Sequence, residues 1–85
     1  MNLQDVLDKV CNGTSDNLTS RKLGITRQMF SHYRTGYRLP SNEVLDKMAE
    51  IGELSAVEVY LAAYAERIDN PVVAEAFRNQ SHLAA

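Results

Sequence analysis

The sequence predicts an all-α fold, a compact domain of five to six helices. Apolar side chains recur three and four positions apart through most of the 85 residues, and no segment alternates as a strand would. Residues that cap or end helices, chiefly Ser, Asn, Gly and Pro, separate these segments at short intervals. A chain of this length is expected to form one small domain.

The first helix is predicted over residues 1–11. Its apolar side chains share one face: Leu3, Val6, Leu7, Val10 and Cys11. Asn2 can cap this helix, and Asn12-Gly13 ends it because glycine adopts left-handed angles without steric cost. Cys11 is the only cysteine, so no disulfide can form within these residues. The chain is therefore compatible with a reducing compartment, and we expect a cytoplasmic location.

Two short helices follow, and a glycine separates them. The first covers about residues 16–23 and ends at Gly24. The second covers about 27–34, between a cap at Thr26 and the pair Thr35-Gly36. These two helices and their turn have the order of a helix-turn-helix motif.

Two or three further helices complete the predicted domain. A fourth is predicted over about 42–51. A fifth begins at Ser55, which forms a capping box with Glu58, and runs to about Asp69. We expect the fifth helix to bury one stripe of side chains, Val57, Tyr60, Leu61, Tyr64 and Ile68, which Ala62, Ala63 and Ala65 widen. The pair Asn70-Pro71 then starts a sixth helix, because Asn can cap and Pro fits the first helical position.

Charge is unevenly distributed along the chain, although its total is only −2. Residues 17–42 contain no acid and have a net charge of +5, from Arg21, Lys22, Arg27, Arg34 and Arg38. Residues 43–85 contain eight acids and three bases, a net charge of −5. A local positive field attracts a polyanion more effectively than the total charge would indicate. The helix-turn-helix segment is therefore the candidate site for nucleic acid.

Gly24 sets the frame of this motif. Phe30 and Tyr33, three positions apart on the second helix, are predicted to face inward. Ser20, four residues before the glycine, is small where the two helices approach most closely. The other side chains of the helix over 27–34 must then face outward.

The outward side chains suit the edges of bases in the major groove, where Arg bonds guanine and Gln bonds adenine. The predicted base contacts are Arg27, Gln28, Ser31 and His32. Polar and basic residues at helix ends and in loops are predicted to contact phosphates. These are Asn17, Thr19, Arg21, Thr26, Arg34, Thr35, Tyr37, Arg38 and Ser41. For Tyr37, packing within the domain is an equal alternative.

The segment LGITRQMFSHYRTG, Leu23 to Gly36, with LPS at 39–41, resembles the helix-turn-helix of the lambda repressor-like family. That family includes phage Cro and repressor proteins and the xenobiotic-response-element (XRE) type of bacterial regulators. In it, a Leu-Gly-apolar-Thr/Ser turn leads into the recognition helix, and a Gly follows that helix. The resemblance implies a fold of four or five helices over residues 3–69. It also implies a small regulator of phage or prophage type.

The chain departs from the family pattern in the first helix of the motif. Thr19 and Ser20 stand where the family usually has a large apolar residue and then Ala, and Leu18 comes one position early. Asp16-Asn17 replaces a Gln that often binds a phosphate. Because an Asp would repel a phosphate, Asn17 is the favoured contact.

The sequence therefore predicts a sequence-specific, DNA-binding transcriptional regulator, a repressor of phage or prophage type. Two-fold homodimers of such proteins read two half-sites of double-stranded DNA, about one turn (~34 Å) apart. Residues 1–69 would form the DNA-binding domain, and 70–85 a helical extension. The dimer surface would lie on the fifth helix and Asn70–Leu83, although these apolar residues could equally cover the domain's own core.

A protein-interaction module is the alternative, an antitoxin-like or inhibitor-like protein acting through the acidic C-terminal half. We expect no enzyme activity, cofactor or metal, because the His and Cys residues lack ligand spacing and the carboxylates lack a catalytic partner. No apolar run approaches the ~20 residues that cross a membrane, so no membrane association is expected.

Overall fold

The computed structural model describes residues 1–79, which form six α-helices and no strand. In chain order they are α1 (Leu3–Cys11), α2 (Asp16–Leu23), α3 (Arg27–Thr35), α4 (Asn42–Ile51), α5 (Ala56–Ala65) and α6 (Pro71–Arg78). The predicted all-α class is confirmed. The last part of the expected dimer segment, residues 80–83, lies outside the described residues. No helix within residues 1–79 has both the length and the apolar character needed to cross a membrane.

The hydrophobic core lies between α1, α2, α4 and α5, and Phe30 and Tyr33 of α3 complete it. Its largest fully buried apolar side chains are Leu3, Val6, Leu7, Leu23, Phe30, Leu45, Met48 and Val59. Helix α1 packs against α2, α4 and α5, and α4 also contacts α2 and α5. Full burial of one such side chain contributes about 1.5–3 kcal/mol. Helices α1 and α4 therefore support the pair α2–α3 through their packing against α2.

Polar caps define where most helices begin. The Asn2 side chain accepts a hydrogen bond from the Asp5 N–H at 2.8 Å, and the Asp5 carboxylate accepts one from the Asn2 N–H at 3.1 Å. The predicted capping box at Ser55 is wrong, because its hydroxyl makes no cap bond. The backbone ψ of Ser55 is 131°, against 157° at Ser15 and 166° at Ser41, whose hydroxyls do cap their helices.

Helix α5 ends four residues earlier than the sequence predicted, at Ala65 instead of Asp69. The next three N–H groups bond to carbonyls three residues back, at 3.2, 3.0 and 3.2 Å, a tightened turn. The physical reason lies at Asn70, which precedes Pro71 and must be extended to cap α6. The chain therefore leaves the helix before this point.

The buried face of α5 also differs from the predicted stripe. The alanines predicted to widen the stripe, Ala62, Ala63 and Ala65, are buried together with Val59, whereas Val57 is 52% exposed. The aromatic and leucine side chains of the stripe are only half-buried. Small alanines allow α5 to approach the core closely, so the alanine face is the one that packs inward. The larger side chains are left at the edge.

Two tyrosines of α5 fasten it to the beginning of α4. The Tyr60 hydroxyl donates to Asp46 Oδ1 at 2.7 Å, and the Tyr64 hydroxyl donates to Asn42 Oδ1 at 2.7 Å. The hydrogen bond to Asp46, aided by desolvation, raises the pKa of Tyr60 above its ordinary value. The first turn of α4, which follows the α3–α4 loop, is thereby fixed.

The raised pKa of Tyr60 gives a testable dependence of stability on pH. The folded protein keeps the Tyr60 proton at a pH where the unfolded chain releases it, at about pH 10. The free energy of unfolding should therefore fall as the pH rises through about 10. Tyr60→Phe should show a shallower fall, with the remainder due to Tyr33, whose pKa burial raises. Urea unfolding at about pH 8 and about pH 11 measures the difference.

Tyr37→Phe is the matched control, because the Tyr37 side chain is 72% exposed and its hydroxyl has no hydrogen bond within residues 1–79. It should follow the wild type. A Tyr60→Phe variant with the same pH dependence as the wild type would contradict the role of the hydrogen bond to Asp46.

Candidate nucleic-acid interface

The turn between α2 and α3 is closed by backbone hydrogen bonds around Gly24. The Gly24 N–H bonds to the Arg21 carbonyl at 3.1 Å, and the Ile25 N–H bonds to the Ser20 carbonyl at 3.0 Å. This pairing is a Schellman motif, which ends a helix with one left-handed residue. Gly24 is that residue, with φ of 74°, an angle that a side chain would strain. The predicted role of Gly24 as the turn residue is confirmed.

The inner face of α2 carries two small polar residues instead of apolar ones. Thr19 and Ser20 are both fully buried, whereas Leu18 is 49% exposed. The Thr19 hydroxyl donates to the Ser15 carbonyl at 2.9 Å and lies 3.0 Å from the Thr14 hydroxyl. The prediction that Thr19 contacts a phosphate is therefore wrong for this structure. The pattern of the family that the chain resembles has a large apolar residue at this position, which indicates a buried side chain.

Burial of Thr19 predicts a loss of stability on truncation. Thr19→Ala removes a buried hydroxyl and methyl group, so we expect the free energy of unfolding to fall by about 1–2 kcal/mol. Thr35→Ala is the control. Its hydroxyl donates to the His32 carbonyl at 3.3 Å on an exposed side chain, and its loss should change the unfolding free energy by about 0.5 kcal/mol or less. Equal losses in urea unfolding would contradict the buried role of Thr19.

Helix α3 is oriented by the two aromatic residues that the sequence predicted to face inward. Phe30 is fully buried and Tyr33 is 5% exposed. The Thr26 hydroxyl caps the helix by accepting from the Met29 N–H at 3.0 Å. Gly36, with φ of 80°, ends it one residue later than predicted. Both ends and the inner face of α3 are therefore fixed, so its outward side chains start from a rigid backbone.

The predicted base-contacting residues divide into two groups. Arg27, Gln28 and Ser31 are exposed on the outer face of α3, whereas His32 is half-buried. The imidazole ring of His32 lies 4.8 Å from the Tyr37 ring, and its Nδ1 is buried without a hydrogen-bond partner in the described residues. His32 is therefore less accessible to a base edge than the other three predicted contacts.

Most of the predicted phosphate contacts are exposed at the ends of α2 and α3 and in the loop after α3. They are Asn17, Arg21, Thr26, Thr35, Tyr37, Arg38 and Ser41. The Tyr37 ring touches His32 and lies 5.8 Å from the Arg38 guanidinium, yet the residue stays 72% exposed. Tyr37 therefore packs on one side and remains accessible on the other.

Arg34, a predicted phosphate contact, is paired with an acid in this structure and does not present a free guanidinium. Its Nη1 lies 2.6 Å from Asp8 Oδ1, and it also reaches Gln4 Oε1 at 3.5 Å. Its Nη2 donates to Cys11 Sγ at 3.6 Å. Partial burial disfavours the charged form, but the hydrogen bonds to Asp8 and Cys11 outweigh it and raise the pKa of Arg34. Sequence spacing gave no signal of this pairing across 26 residues.

The other four bases of residues 17–42 keep their charges available. Arg21, Lys22, Arg27 and Arg38 are exposed and form no ion pair within residues 1–79.

A sixth cation approaches the turn from α4. The Lys47 ammonium lies 3.2 Å from the point where a side chain on Gly24 would begin. The four-residue spacing of Glu43 and Lys47 indicates an ion pair, but none forms between them in the described residues. The position of Lys47 beside the helix-turn-helix is evident from the structure and not from the sequence spacing.

Within residues 1–79, no group of three or more His, Cys, Asp or Glu side chains could hold a metal ion. Comparison of the chain with protein-family models, with curated proteins and with solved structures finds no match. Function must therefore be inferred from the geometry and charge of the helices themselves.

Proposed function

We propose that this protein is a sequence-specific, DNA-binding transcriptional regulator of the lambda repressor-like, phage or prophage type. The supporting observation is the coincidence of two features on α3 and its flanks. An exposed, polar helix face carries Arg27, Gln28 and Ser31. The surrounding segment 17–42 contains no acid, and four of its cations form no ion pair within residues 1–79. Base-edge donors on a rigid helix within a positive field are what recognition in the major groove requires.

The dimensions and orientation of α3 suit this role. An α-helix with its side chains is about 10–12 Å across, and the major groove is about 12 Å wide. Recognition helices contact base edges mainly with residues of their N-terminal part, where Arg27 and Gln28 lie. Phe30 and Tyr33 anchor the opposite face in the core, so the helix can enter the groove without losing its support.

Exposed polar residues at both ends of the helix pair would set the position on the DNA backbone. Asn17 lies in the first turn of α2, where backbone N–H groups favour a phosphate, and Arg21 follows one turn later. Arg38 and Ser41 lie beyond the other end of α3. Phosphate contacts on either side of a recognition helix fix its register in the groove.

Exposed apolar residues support a homodimer formed through α5 or α6. Ala74 is buried and Phe77 is half-buried, but Val72 is 77% and Val73 is 41% exposed. Helix α6 therefore covers its own domain with one face and leaves apolar surface on another. A groove of about 320 Å³ beside the exposed Val57 adds apolar surface on α5. Two copies related by a two-fold axis would read two half-sites.

The proposal is tested by selecting preferred duplexes from a random pool and then comparing Arg27→Ala with the wild type. We expect a preferred site of two half-sites about 34 Å apart. Arg27→Ala should weaken binding to this site by about 1–3 kcal/mol, because a bidentate contact to a base is lost. Binding to random duplexes should change much less. Arg67→Ala is the matched control, an exposed arginine after α5 that should leave both affinities unchanged.

The salt dependence of binding separates this proposal from the alternative, a protein-interaction module acting through the acidic C-terminal half. Titration with duplex DNA at about 50 and about 200 mM salt should give a steep slope and one preferred site. A protein-interaction module would show neither. An equal loss on preferred and random duplexes in Arg27→Ala would contradict the assignment of Arg27 to a base.

A further inference from the structure

Within the described residues, Arg34 is the one base of segment 17–42 that an acid neutralises. Its guanidinium meets the Asp8 carboxylate of α1 at 2.6 Å, with side chains that are 27% and 67% exposed. A second nitrogen contacts Cys11, and the guanidinium carbon lies 5.7 Å from the centre of the Phe30 ring. The protein itself therefore occupies both ends and one face of the guanidinium.

The position of Arg34 on α3 gives this pairing a consequence beyond stability. Arg34 is seven residues after Arg27, close to two helical turns, so the two side chains leave α3 in nearly the same direction. A free guanidinium there would lie beside the face that we propose for the major groove. A single partly exposed ion pair contributes only about 0–1 kcal/mol to stability. The Arg34 guanidinium is also bonded to Gln4 and Cys11 and lies over the Phe30 ring, so several contacts together retain it. Removal of one positive charge next to a polyanion has a larger effect on binding.

We propose that Asp8 is a positioning residue that sets the DNA affinity, because it retains Arg34 within the protein in both the free and the bound states. This inference rests on the proposed function. Each phosphate that a cation neutralises steepens the salt dependence and strengthens binding to all sequences alike. Retention of Arg34 by Asp8 therefore keeps one sequence-independent contact out of the complex and limits non-specific binding.

The test is a double-mutant cycle of Asp8→Asn, Arg34→Gln and both together, measured on the preferred duplex between about 50 and about 200 mM salt. Asp8→Asn should free the charge of Arg34. The slope of log affinity against log salt should then steepen by up to about 0.9, which adds a roughly 3.5-fold fall over this fourfold salt range. The double variant removes both charges, so its slope and affinity should return to those of the wild type.

Two controls separate the effect of this pair from net charge and from folding. Glu50→Gln removes one exposed acid from α4 without touching Arg34 and should keep the salt slope of the wild type. Asp8→Glu restores the carboxylate and should also restore the wild-type slope. Urea unfolding shows whether each variant is folded. If Asp8→Asn is not folded, Asp8→Ala replaces it and should show the same steeper salt slope.

Three outcomes would overturn the inference. A double variant with a slope about 0.9 shallower than the wild type would show that Arg34 contacts a phosphate in the complex. Identical salt slopes for Asp8→Asn and Glu50→Gln would show that Asp8 has no specific effect. Failure of the wild type to bind any duplex would overturn the proposed function as well. A wild type that keeps its preferred site while the cycle fails would overturn only the role of Asp8.

Discussion

The orientation of α3 depends on one backbone constraint, the left-handed conformation of Gly24. With φ of 74°, this residue lets two consecutive N–H groups turn back to the end of α2. The chain then enters α3 at an angle that sends Phe30 and Tyr33 into the core. Every outward side chain of α3 takes its direction from this arrangement. A residue with a side chain at Gly24 would be strained and would also meet the Lys47 ammonium.

The distribution of charged residues is the second feature that shapes the surface around α3. The acids of α1 and α4 lie before and after residues 17–42, a segment that has none. Only Arg34 of that segment is paired within the described residues. The total charge of −2 therefore conceals a positive surface on α2, α3 and the loop that follows. An acidic remainder opposes indiscriminate binding to a polyanion, so base contacts by α3 would weigh more in the choice of site.

Local signals predicted the helices, most caps and the turn, because capping, glycine angles and helical periodicity act within a few residues. The predictions failed where contacts between distant segments of the chain determine the structure. Arg34 pairs with Asp8, which is 26 residues earlier in the chain, and the Lys47 ammonium of α4 lies beside the turn at Gly24. Val57 was predicted in the buried stripe of α5 in place of Val59, because this helix is apolar on nearly every side and its periodicity does not determine which side approaches the core. Thr19 was misplaced because a hydroxyl that bonds its own helix can be buried.

The most direct test of the central claim is residue-level NMR mapping of the full chain during titration with the selected DNA duplex. We expect the changes in backbone amide shifts to concentrate on α3, on the first turn of α2 and on the loop from Gly36 to Ser41. Changes on α5 and α6 should be small once the dimer has formed. Shifts confined to α5 and α6, or none at any residue, would contradict the assignment of α3 as the DNA-reading helix.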